Sequence, residues 1–524
     1  MERPTVGEKR RLLIYLLCCM LAFLVLIGRL AYIGLFRSSQ WQEMAYEQQT
    51  RDRLITARRG DILDRNGVGI AETQTVAAVS VVPAEVKEKE ETAKFLADTL
   101  ELDYDDVLEK VQQKVALVRI QSKVDTETAQ AIRQADLPGV KVDEDVRRIY
   151  PFGELAAQVV GFVGKDNQGI IGLEAQYDDV LEGEQGKILT LTDAKGKELS
   201  QEQERIPPVD GGNLVTTLDV TIQQYAEQTL AKTVESKQAK KGSLIVMNPQ
   251  NGEIYAMANY PSFDLNEPFT INNPELAAAW EGLSSKEQSD ALNTMWRNSA
   301  INDTYEPGSI FKIITSVAGL EEGVVTPEST FYCRGFHVAG DRQIKCWRYP
   351  RTHGAETFAE GVQNSCNPVF MEIAERLGAE TFLDYVEKLG FREKTGIDLA
   401  GEATGIIHEL KNVGPVELAT MSFGQSFQIT PIQLATTVSS IINGGRRITP
   451  HFGVKVTDEE GNLVKELKYK EEPGIVSKEV SKEVCQILEK VVSEGSGKNA
   501  KVEGFRIGGK TATSQTLPRS ANKY

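Results

Sequence analysis

The most informative stretch of this chain is 305–312, which reads Tyr-Glu-Pro-Gly-Ser-Ile-Phe-Lys. Its proline and glycine favour a turn that ends where a helix begins, and an apolar run from Ile313 continues the helix. If the helix starts at Ser309, Lys312 projects from the same face one turn later. A desolvated lysine there can lose its proton and accept the proton of the serine, while the helix start offers positive partial charge to an oxyanion. The stretch therefore predicts a nucleophilic serine with a lysine base.

A second element, Ser365-Cys366-Asn367, precedes a helix-like run. A second hydroxyl at Ser365 can relay a proton, and the amide of Asn367 can hold the backbone of a peptide. The alternative is a helix cap made by the serine or the asparagine, which the motif favours when it is taken by itself. Context is also needed for the first element, because Ser520-Ala521-Asn522-Lys523 has the same Ser-x-x-Lys spacing by accident.

A third element has two candidates, Lys394-Thr395-Gly396 and Lys510-Thr511-Ala512-Thr513. The chemistry requires an extended edge strand, on which a lysine and hydroxyls converge on a carboxylate and a backbone N–H completes an oxyanion hole. Residues 504–509 predict such a strand, with Thr511 and Thr513 on one face. The stretch around Lys394 predicts a loop after a helix end, so the sequence favours Lys510.

Together the three elements resemble the S-x-x-K, S-x-N and K-T-G set of penicillin-binding proteins and serine β-lactamases. Further stretches resemble class B penicillin-binding proteins in particular, and they lie at 59–67, 148–151, 169–174, 242–261, 297–298, 396–402 and 423–431. The resemblance covers nearly the whole chain. It implies an α+β architecture: a transmembrane helix, a mixed α/β pedestal, and a transpeptidase domain whose antiparallel sheet is flanked by helices.

The resemblance also implies a role for each site residue. Ser309 would attack the penultimate D-alanine carbonyl of a peptidoglycan stem peptide and form an acyl-enzyme, with Lys312 as its base. Ser365 and Asn367 would assist proton transfer and hold the donor. The donor carboxylate would be bound by Lys510, Thr511 and Thr513. No metal or organic cofactor is required.

The expected ligands and partners are peptidoglycan stem peptides, β-lactam antibiotics, and membrane partners of wall synthesis such as a glycosyltransferase, divisome or elongasome proteins. Two other classes of function stay open at this point. One is hydrolysis, as in a D,D-carboxypeptidase or β-lactamase, which uses the same triad. The other is an interaction role without catalysis.

Charge and length exclude other classes. The chain has 524 residues, a formal net charge of −16 and a pI near 5.1, so it has no large basic surface for a phosphate backbone. Nucleic-acid binding is therefore not expected. Such a length predicts two or three folded units.

The N-terminus predicts a membrane anchor. Residues 12–28 carry no charged side chain and the apolar pattern continues over 30–36, which is enough to span a bilayer. Basic residues at positions 3 and 9–11 place the N-terminus in the cytoplasm and the rest of the chain outside. A cleaved signal peptide or a buried core helix fits less well, because the run is long and no small-x-small site follows it.

Three domains are expected: a cytoplasmic tail and anchor over 1–36, a dimerisation-type pedestal over 37–213 and the transpeptidase domain over 214–524. Within them, 220–237 has helical periodicity, and β-rich runs at 243–247 and 253–258 flank an Asn-Gly hairpin signal. The pedestal mixes a β-rich run at 76–82 with helical segments over 86–114.

Cys333 and Cys346 form a candidate disulfide in a loop-like segment on the oxidising side of the membrane, and two free thiols are equally compatible with the sequence. Cys366 lies inside the second element. The four histidines show no metal-ligand spacing, so the sequence predicts neither a zinc site nor a Ser-His-Asp triad.

Two features depart from the family pattern. Ala512 stands where glycine is usual, and it adds a methyl group to a strand that a ligand approaches closely. Tyr524 follows soon after Thr513, whereas the family continues into further strands and a helix. We therefore expect an incomplete transpeptidase domain that acylates weakly.

Overall fold

A computed structural model describes residues 6–37, 50–192 and 198–514. The chain divides into two compact units. The smaller comprises the chain up to Arg58 together with residues 74–147 and 184–210, and the larger comprises 59–73, 148–183 and the chain from Gly211 onward. The units interleave along the sequence, whereas the predicted domains of 37–213 and 214–524 are continuous. Those domain boundaries stay a prediction.

The helices and strands are numbered in chain order. The helices are α1 Val6–Ala31, α2 Lys89–Leu100, α3 Tyr104–Gln112, α4 Thr126–Gln134, α5 Ala157–Val160, α6 Gly172–Gln176, α7 Asp178–Leu181, α8 Val220–Lys237, α9 Pro274–Ala279, α10 Ser285–Trp296, α11 Ser299–Asn302, α12 Lys312–Glu321, α13 Phe358–Gln363, α14 Asn367–Leu377, α15 Ala379–Lys388, α16 Pro415–Met421, α17 Pro431–Ile442 and α18 Lys478–Ser493. The strands are β1 Thr50–Ile55, β2 Ile62–Leu63, β3 Gly69–Val81, β4 Val118–Val124, β5 Val140–Ile149, β6 Gly186–Thr192, β7 Glu198–Ile206, β8 Asn213–Thr216, β9 Gly242–Met247, β10 Ile254–Tyr260, β11 Thr330–Cys333, β12 Phe336–Ala339, β13 Arg342–Lys345, β14 Gly354–Thr357, β15 Gly453–Thr457 and β16 Leu463–Glu466.

The predicted anchor is one helix, α1, which continues as a π-helical turn over Tyr32–Phe36. Its segment Leu13–Gly34 has the length and apolar composition of a single membrane span. A helix forms its backbone hydrogen bonds within the segment, so it leaves no unsatisfied backbone groups in a lipid environment.

The smaller unit pairs β1, β6 and β7 into an antiparallel sheet, and the second half of β3 pairs with β4. Helices α2 to α4 supply the apolar side chains that pack with β3 and β4 into one core. Asp103 caps α3 and Asp125 caps α4, because each carboxylate accepts hydrogen bonds from backbone N–H groups of the first turn. The predicted mixture of β-rich and helical segments is confirmed here.

The larger unit contains a mixed sheet in the order β16, β15, β8, β2 and the first residues of β3. It also contains the predicted hairpin, in which β9 and β10 pair antiparallel. The predicted helix over 220–237 is α8, which begins at the cap residue Asp219 and packs on the hairpin. The α+β prediction is confirmed.

The site depends on α12, which is buried from Lys312 to Gly319. A 3-10 turn, Gly308–Phe311, precedes it, so the helical stretch starts where the sequence predicted. Phe311 packs edge to face on Phe427 with ring centroids 4.6 Å apart, and the surrounding apolar cluster includes residues of α14, α15 and α18. The aromatic contact fixes the turn in the centre of the unit.

Three of the family-like stretches, at 59–67, 148–151 and 169–174, contribute side chains to one buried ionic cluster in the larger unit. Arg59 Nε lies 2.7 Å from Glu174 Oε2, and Arg148 Nε lies 2.7 Å from Glu174 Oε1. Arg59 Nη1 also lies 2.7 Å from Asp178 Oδ1, and Tyr150 donates to Glu174. The motifs therefore serve packing, because buried charges are tolerated only when they are paired.

The predicted strand carrying Lys510 to Thr513 is not formed. Residues 505–514 have no ladder partner within the described ranges. Gly509 N–H donates to Leu488 O of α18 at 3.1 Å instead. A strand needs a neighbouring strand to pair its backbone N–H and C=O groups. The sequence pattern predicted an extended segment, but it did not indicate that the neighbour of this segment is a helix.

Candidate active site

Ser309 lies in the 3-10 turn before α12 and faces a cleft. The turn is possible because Gly308 has a φ of +59°, in the left-handed region that favours glycine. Gly308 N–H donates to Gly424 O at 2.9 Å, and a Cβ atom on Gly424 would lie 2.1 Å from Gly308 O. Two glycines thus allow a close approach of backbones directly beside the serine.

Lys312 is fully buried one turn after Ser309. Its Nζ atom donates to Ser365 O at 2.8 Å, to Ser365 Oγ at 3.1 Å and to Asn367 Oδ1 at 2.7 Å. Burial holds the pKa of Lys312 well below its ordinary value, and the charge of Lys510 lowers it further. The lowered pKa makes the neutral amine, which is the form that accepts a proton, more accessible to Lys312 than to an exposed lysine.

Ser365 and Asn367 do not act as the helix caps that the motif favours by itself. Asn367 is the first residue of α14, and the Cys366 side chain makes no capping hydrogen bond. Ser365 has a φ of +55°, a left-handed conformation that costs a serine about 1 kcal/mol or more. The strained backbone turns the Ser365 carbonyl and hydroxyl toward Lys312.

Lys510 reaches the same hydroxyl from the opposite wall, with its Nζ atom 2.9 Å from Ser365 Oγ. Burial lowers its pKa to about 8. The segment after Lys510 passes close to Gly308, because a Cβ on that glycine would lie 3.0 Å from Thr513 O and 3.6 Å from Ala512 Cβ. Thr511 and Thr513 line the cleft with Ser309.

Lys394, the competing candidate, is exposed in a loop. The neighbouring Thr395 donates its N–H and hydroxyl to Glu402 Oε1 at 2.7 Å each, and Gly396 N–H donates to Glu402 Oε2. The literal Lys-Thr-Gly triplet is therefore part of a structural turn. The other Ser-x-x-Lys spacing, at 520–523, lies outside the described residues.

The cleft has a volume of about 1070 Å³. Its further lining comes from β13, from the segment after it that includes Trp347, and from 416–425. The Glu306 carboxylate connects two segments of the chain, because it accepts a hydrogen bond from Ser426 N–H at 3.1 Å and another from Ser514 Oγ at 2.9 Å. The family-like stretch 423–431 and the first element, which includes Glu306, pointed to part of this lining, whereas no sequence signal marked β13, Trp347 or Val416.

Cys333 and Cys346 are buried free thiols in this structure, and the disulfide between them stays a prediction. They are not alone. The ligand atoms of Cys333, Cys346, His353 and Cys366 all lie within 4.8 Å of one another. Sequence spacing missed this cluster, because its members come from four separate places in the fold.

The fold and this arrangement of serine, lysines and asparagine define a transpeptidase of the penicillin-recognising type. Residues 242–524 match the family model described as the penicillin binding protein transpeptidase domain, and 54–216 match the penicillin-binding protein dimerisation domain. The chain belongs to the class B penicillin-binding proteins, as the sequence resemblance predicted.

Two curated relatives and one solved structure illustrate the likeness. The chain is 40% identical to "Stage V sporulation protein D" of Bacillus subtilis, over 99% of this chain and 78% of the relative. It is 27% identical to "Peptidoglycan D,D-transpeptidase FtsI" of Escherichia coli K12, over 97% and 82%. The fold also matches the complex between penicillin-binding protein PBP2 and MreC from Helicobacter pylori, with a TM-score of 0.66 and 23% identity over 84% and 83% of the two chains.

Proposed function

We propose that this chain is a serine D,D-transpeptidase that cross-links peptidoglycan stem peptides and is acylated by β-lactams. The observation that carries the proposal is the position of Lys312 Nζ, which is buried one turn after Ser309 and held by Ser365 and Asn367. The names of the curated relatives agree with this reaction.

The first half of the reaction makes an ester. Lys312 takes the proton of Ser309, whose Oγ atom attacks the penultimate D-alanine carbonyl of the donor. The C–N bond to the terminal D-alanine breaks, and the amine leaves with a proton relayed through Ser365. Backbone N–H groups near Ser309 and the 512–513 segment stabilise the oxyanion, and Lys510, Thr511 and Thr513 bind the carboxylate.

The second half transfers the acyl group. The amino group of a neighbouring stem attacks the ester carbonyl and loses a proton to the lysine, and Ser309 leaves as a hydroxyl. An amide bond replaces the ester bond, and the atoms and electrons of the reaction balance without an oxidant, metal or cofactor.

The membrane arrangement supports the same role. We infer that α1 anchors the chain with its N-terminus in the cytoplasm and the residues after the span outside, because basic residues precede the span. Membrane partners of wall synthesis would then contact the part of the chain that lies in or outside the membrane. The fold relative solved with MreC is an example of such a partnership.

The likeness to stage V sporulation protein D, at 40% against 27% for FtsI, favours a role in sporulation over one in division. Expression of this chain in Bacillus subtilis cells that lack stage V sporulation protein D tests this point. Restored spore formation would support the sporulation role, and unchanged failure with the chain present in the membrane would oppose it.

The reaction itself is tested with the purified full chain in detergent. We expect cross-linked product when both a pentapeptide donor and an amino acceptor are supplied, together with released D-alanine. Release of D-alanine without cross-linked product would indicate a carboxypeptidase. Neither product, with no penicillin adduct, would leave only an interaction role.

A further inference from the structure

We propose that a groove beside the catalytic cleft binds the acceptor stem peptide and directs its amino group to the acyl-enzyme. The inference rests on the transpeptidation proposed above and adds the place at which the second substrate binds. The groove has a volume of about 460 Å³ and is lined by Glu306, by residues of the segment 406–412 and by residues 426–428. A carboxylate, apolar side chains and a lysine together suit a peptide that carries an ammonium group on an alkyl arm.

The groove joins the cleft that contains Ser309. Glu306 lines both spaces and precedes Ser309 by three residues in the sequence. Gln425 lines the cleft, and the next residue, Ser426, lines the groove. In the proposed reaction the donor is bound at the cleft wall that carries Thr513. The groove therefore offers the acceptor a separate approach to the ester.

Backbone hydrogen bonds fix the groove relative to the nucleophile. Tyr305 and Ile429 exchange two backbone hydrogen bonds, with N–O distances of 2.9 and 3.0 Å. Ile406 and Gln428 exchange two more, at 2.7 and 3.0 Å. The segment 428–429 thus lies between the stretch that leads to Ser309 and the groove wall at Ile406. This frame is important because a misplacement of about 1 Å between reacting groups can cost on the order of a hundredfold in rate.

The inner end of the groove, next to the cleft, carries the Glu306 carboxylate. Hydrogen bonds from Ser426 N–H and Ser514 Oγ hold this carboxylate in place. A carboxylate has about four lone-pair sites, so it can accept an ammonium N–H in addition to these two bonds. Such a charge-assisted hydrogen bond is stronger than one between neutral groups. Glu306 would therefore hold the amino group of the acceptor close to the nucleophile.

The outer end of the groove has a positive charge at its rim. Lys411 is 75% exposed, and its Nζ atom lies 2.5 Å from Glu409 Oε2. Exposed ion pairs are weak, so Lys411 can exchange Glu409 for an acidic group of a bound peptide. Ile406 is 64% exposed and adds apolar surface for the methylene groups of the arm. This order of groups matches an acceptor whose ammonium group points inward while its acidic groups stay at the rim.

His408 and Ser426 hold the groove wall against Glu306. His408 Nε2 lies 2.7 Å from Ser426 O, and because a carbonyl oxygen can only accept, Nε2 carries the proton and donates. Arg392 Nη2 donates to His408 O at 2.7 Å. Ser426 has a φ of +67°, a left-handed conformation that is costly for a serine. The same strained residue thus donates its N–H to Glu306 and offers its carbonyl to the wall.

The reaction stays balanced with the acceptor in this groove. The amine binds as an ammonium ion, one proton passes to solvent at the open end, and the neutral amine attacks the ester carbonyl. A C–N bond forms as the C–O bond to Ser309 breaks, and the second proton reaches Ser309 through Lys312. Glu306 binds and orients the amine, so it acts as a substrate-binding residue and keeps no proton.

The first experiment measures binding without reaction, using the unaltered full chain in detergent. The probe is a synthetic stem tripeptide with a free side-chain amine and a diazirine beside it. Peptide mapping after illumination should place most of the label on residues 406–412 or 426–428. The same probe with its amine acetylated should label these residues at most about a third as strongly, because the charged contact with Glu306 is lost. Label mainly elsewhere, or equal labelling by the two probes, would overturn the groove.

This binding measurement separates the groove from the reaction. Label on the groove in a chain that forms no cross-linked product would contradict the proposed transpeptidation and would still support the acceptor site. Cross-linked product in a chain whose label lies elsewhere would support the reaction and refute the groove.

The second experiment measures the KM for the acceptor in the cross-linking reaction. Lys411→Glu and Ile406→Ser should each raise this KM about threefold or more, because a charge partner or apolar surface for the acceptor is lost. Leu463→Ser and Lys468→Glu are matched controls that should keep the KM. Leu463 is 62% exposed on β16, and Lys468 forms an exposed ion pair with Glu466 at 3.5 Å. An acceptor KM unchanged in both groove variants would overturn the proposal.

Glu306→Gln tests the inner end of the groove. We expect the acceptor KM to rise about tenfold, since the charged partner of the ammonium group is removed. At a fixed acceptor concentration more of the acyl-enzyme should then react with water, so the ratio of released D-alanine to cross-linked product should rise. A purely structural role would lower both products together. An unchanged ratio and an unchanged acceptor KM would refute the assignment of Glu306.

Discussion

Lys510 Nζ lies 2.9 Å from Ser365 Oγ, the hydroxyl that also accepts a hydrogen bond from Lys312 at 3.1 Å. One oxygen thus stands between two lysines. The two ammonium groups disfavour each other's charge, and the deeper one, Lys312, is more easily neutral. The Ser365 hydroxyl still has its own proton to donate. It can therefore relay a proton between Lys312 and the part of the cleft that holds Lys510.

Replacing the nucleophile should abolish acylation. We expect Ser309→Ala to lose at least about a thousandfold in the rate of labelling by fluorescent penicillin, because no other group can form the ester. Intact-mass and peptide mapping should place the adduct on Ser309 in the unaltered chain. Ser520→Ala shares the Ser-x-x-Lys spacing and should label normally. An adduct on Ser520, or one that survives Ser309→Ala, would contradict the assignment.

Lys312→Met removes the base and keeps most of the side-chain volume. We expect acylation to slow by about 100- to 10,000-fold, the usual range for a general base. Folding should survive, since the cost of burying an ammonium offsets the loss of hydrogen bonds to Ser365 and Asn367. Stopped-flow labelling and thermal unfolding measure the two effects separately. A rate within a few-fold of the unaltered chain, with normal unfolding, would remove Lys312 from the mechanism.

The choice between the two Lys-Thr motifs can be tested directly. Lys510→Met should weaken acylation about tenfold to a hundredfold, mainly at subsaturating penicillin, because a charged partner of the carboxylate is lost. Lys394→Met should label like the unaltered chain, since Lys394 is exposed in a separate loop. The opposite ranking of the two variants would show that the wrong motif was chosen.

The pKa of Lys510 predicts a pH dependence. Burial lowers this pKa to about 8, so the ammonium is charged below that pH and neutral above it. The second-order rate constant of acylation should therefore fall as pH rises through about 8, as the attraction for the carboxylate is lost. In Lys510→Arg the guanidinium stays charged and the decline should disappear. A rate that keeps rising through this window would show that the charge of Lys510 is not used.

The ionic cluster of Arg59, Arg148 and Glu174 should matter for stability. Glu174→Gln leaves two buried guanidinium groups without their shared carboxylate, and we expect a loss of about 3 to 5 kcal/mol in the free energy of unfolding. Glu489→Gln breaks the exposed pair with Arg506 and should leave the unfolding midpoint unchanged. Equal midpoints for the two variants in thermal unfolding would contradict this role of the cluster.

Local elements were predictable from patterns along the chain. The apolar run predicted α1, the Asn-Gly signal predicted the β9–β10 hairpin, and the turn before Ser309 predicted the start of the helical stretch. Each of these patterns depends on residues a few positions apart, and so it can be recognised along the chain. The sequence also favoured Lys510 over Lys394, a choice that stays a prediction, and the strand predicted to carry Lys510 is not formed.

Contacts between groups that are distant in sequence became visible in the folded chain alone. Lys312 reaches Asn367 because α12 packs against α14 and Ser365 adopts a left-handed backbone conformation. Residue spacing predicts neither the helix packing nor this backbone conformation. The same packing gathers Cys333, Cys346, His353 and Cys366 from four separate segments, where spacing predicted no metal site. The neighbour of the segment that leads to Lys510 was likewise decided by packing, since Gly509 N–H donates to Leu488 O of α18 and not to a strand. Contacts between residues far apart in sequence depend on the whole fold, whereas the sequence pattern records mainly each segment's own preference.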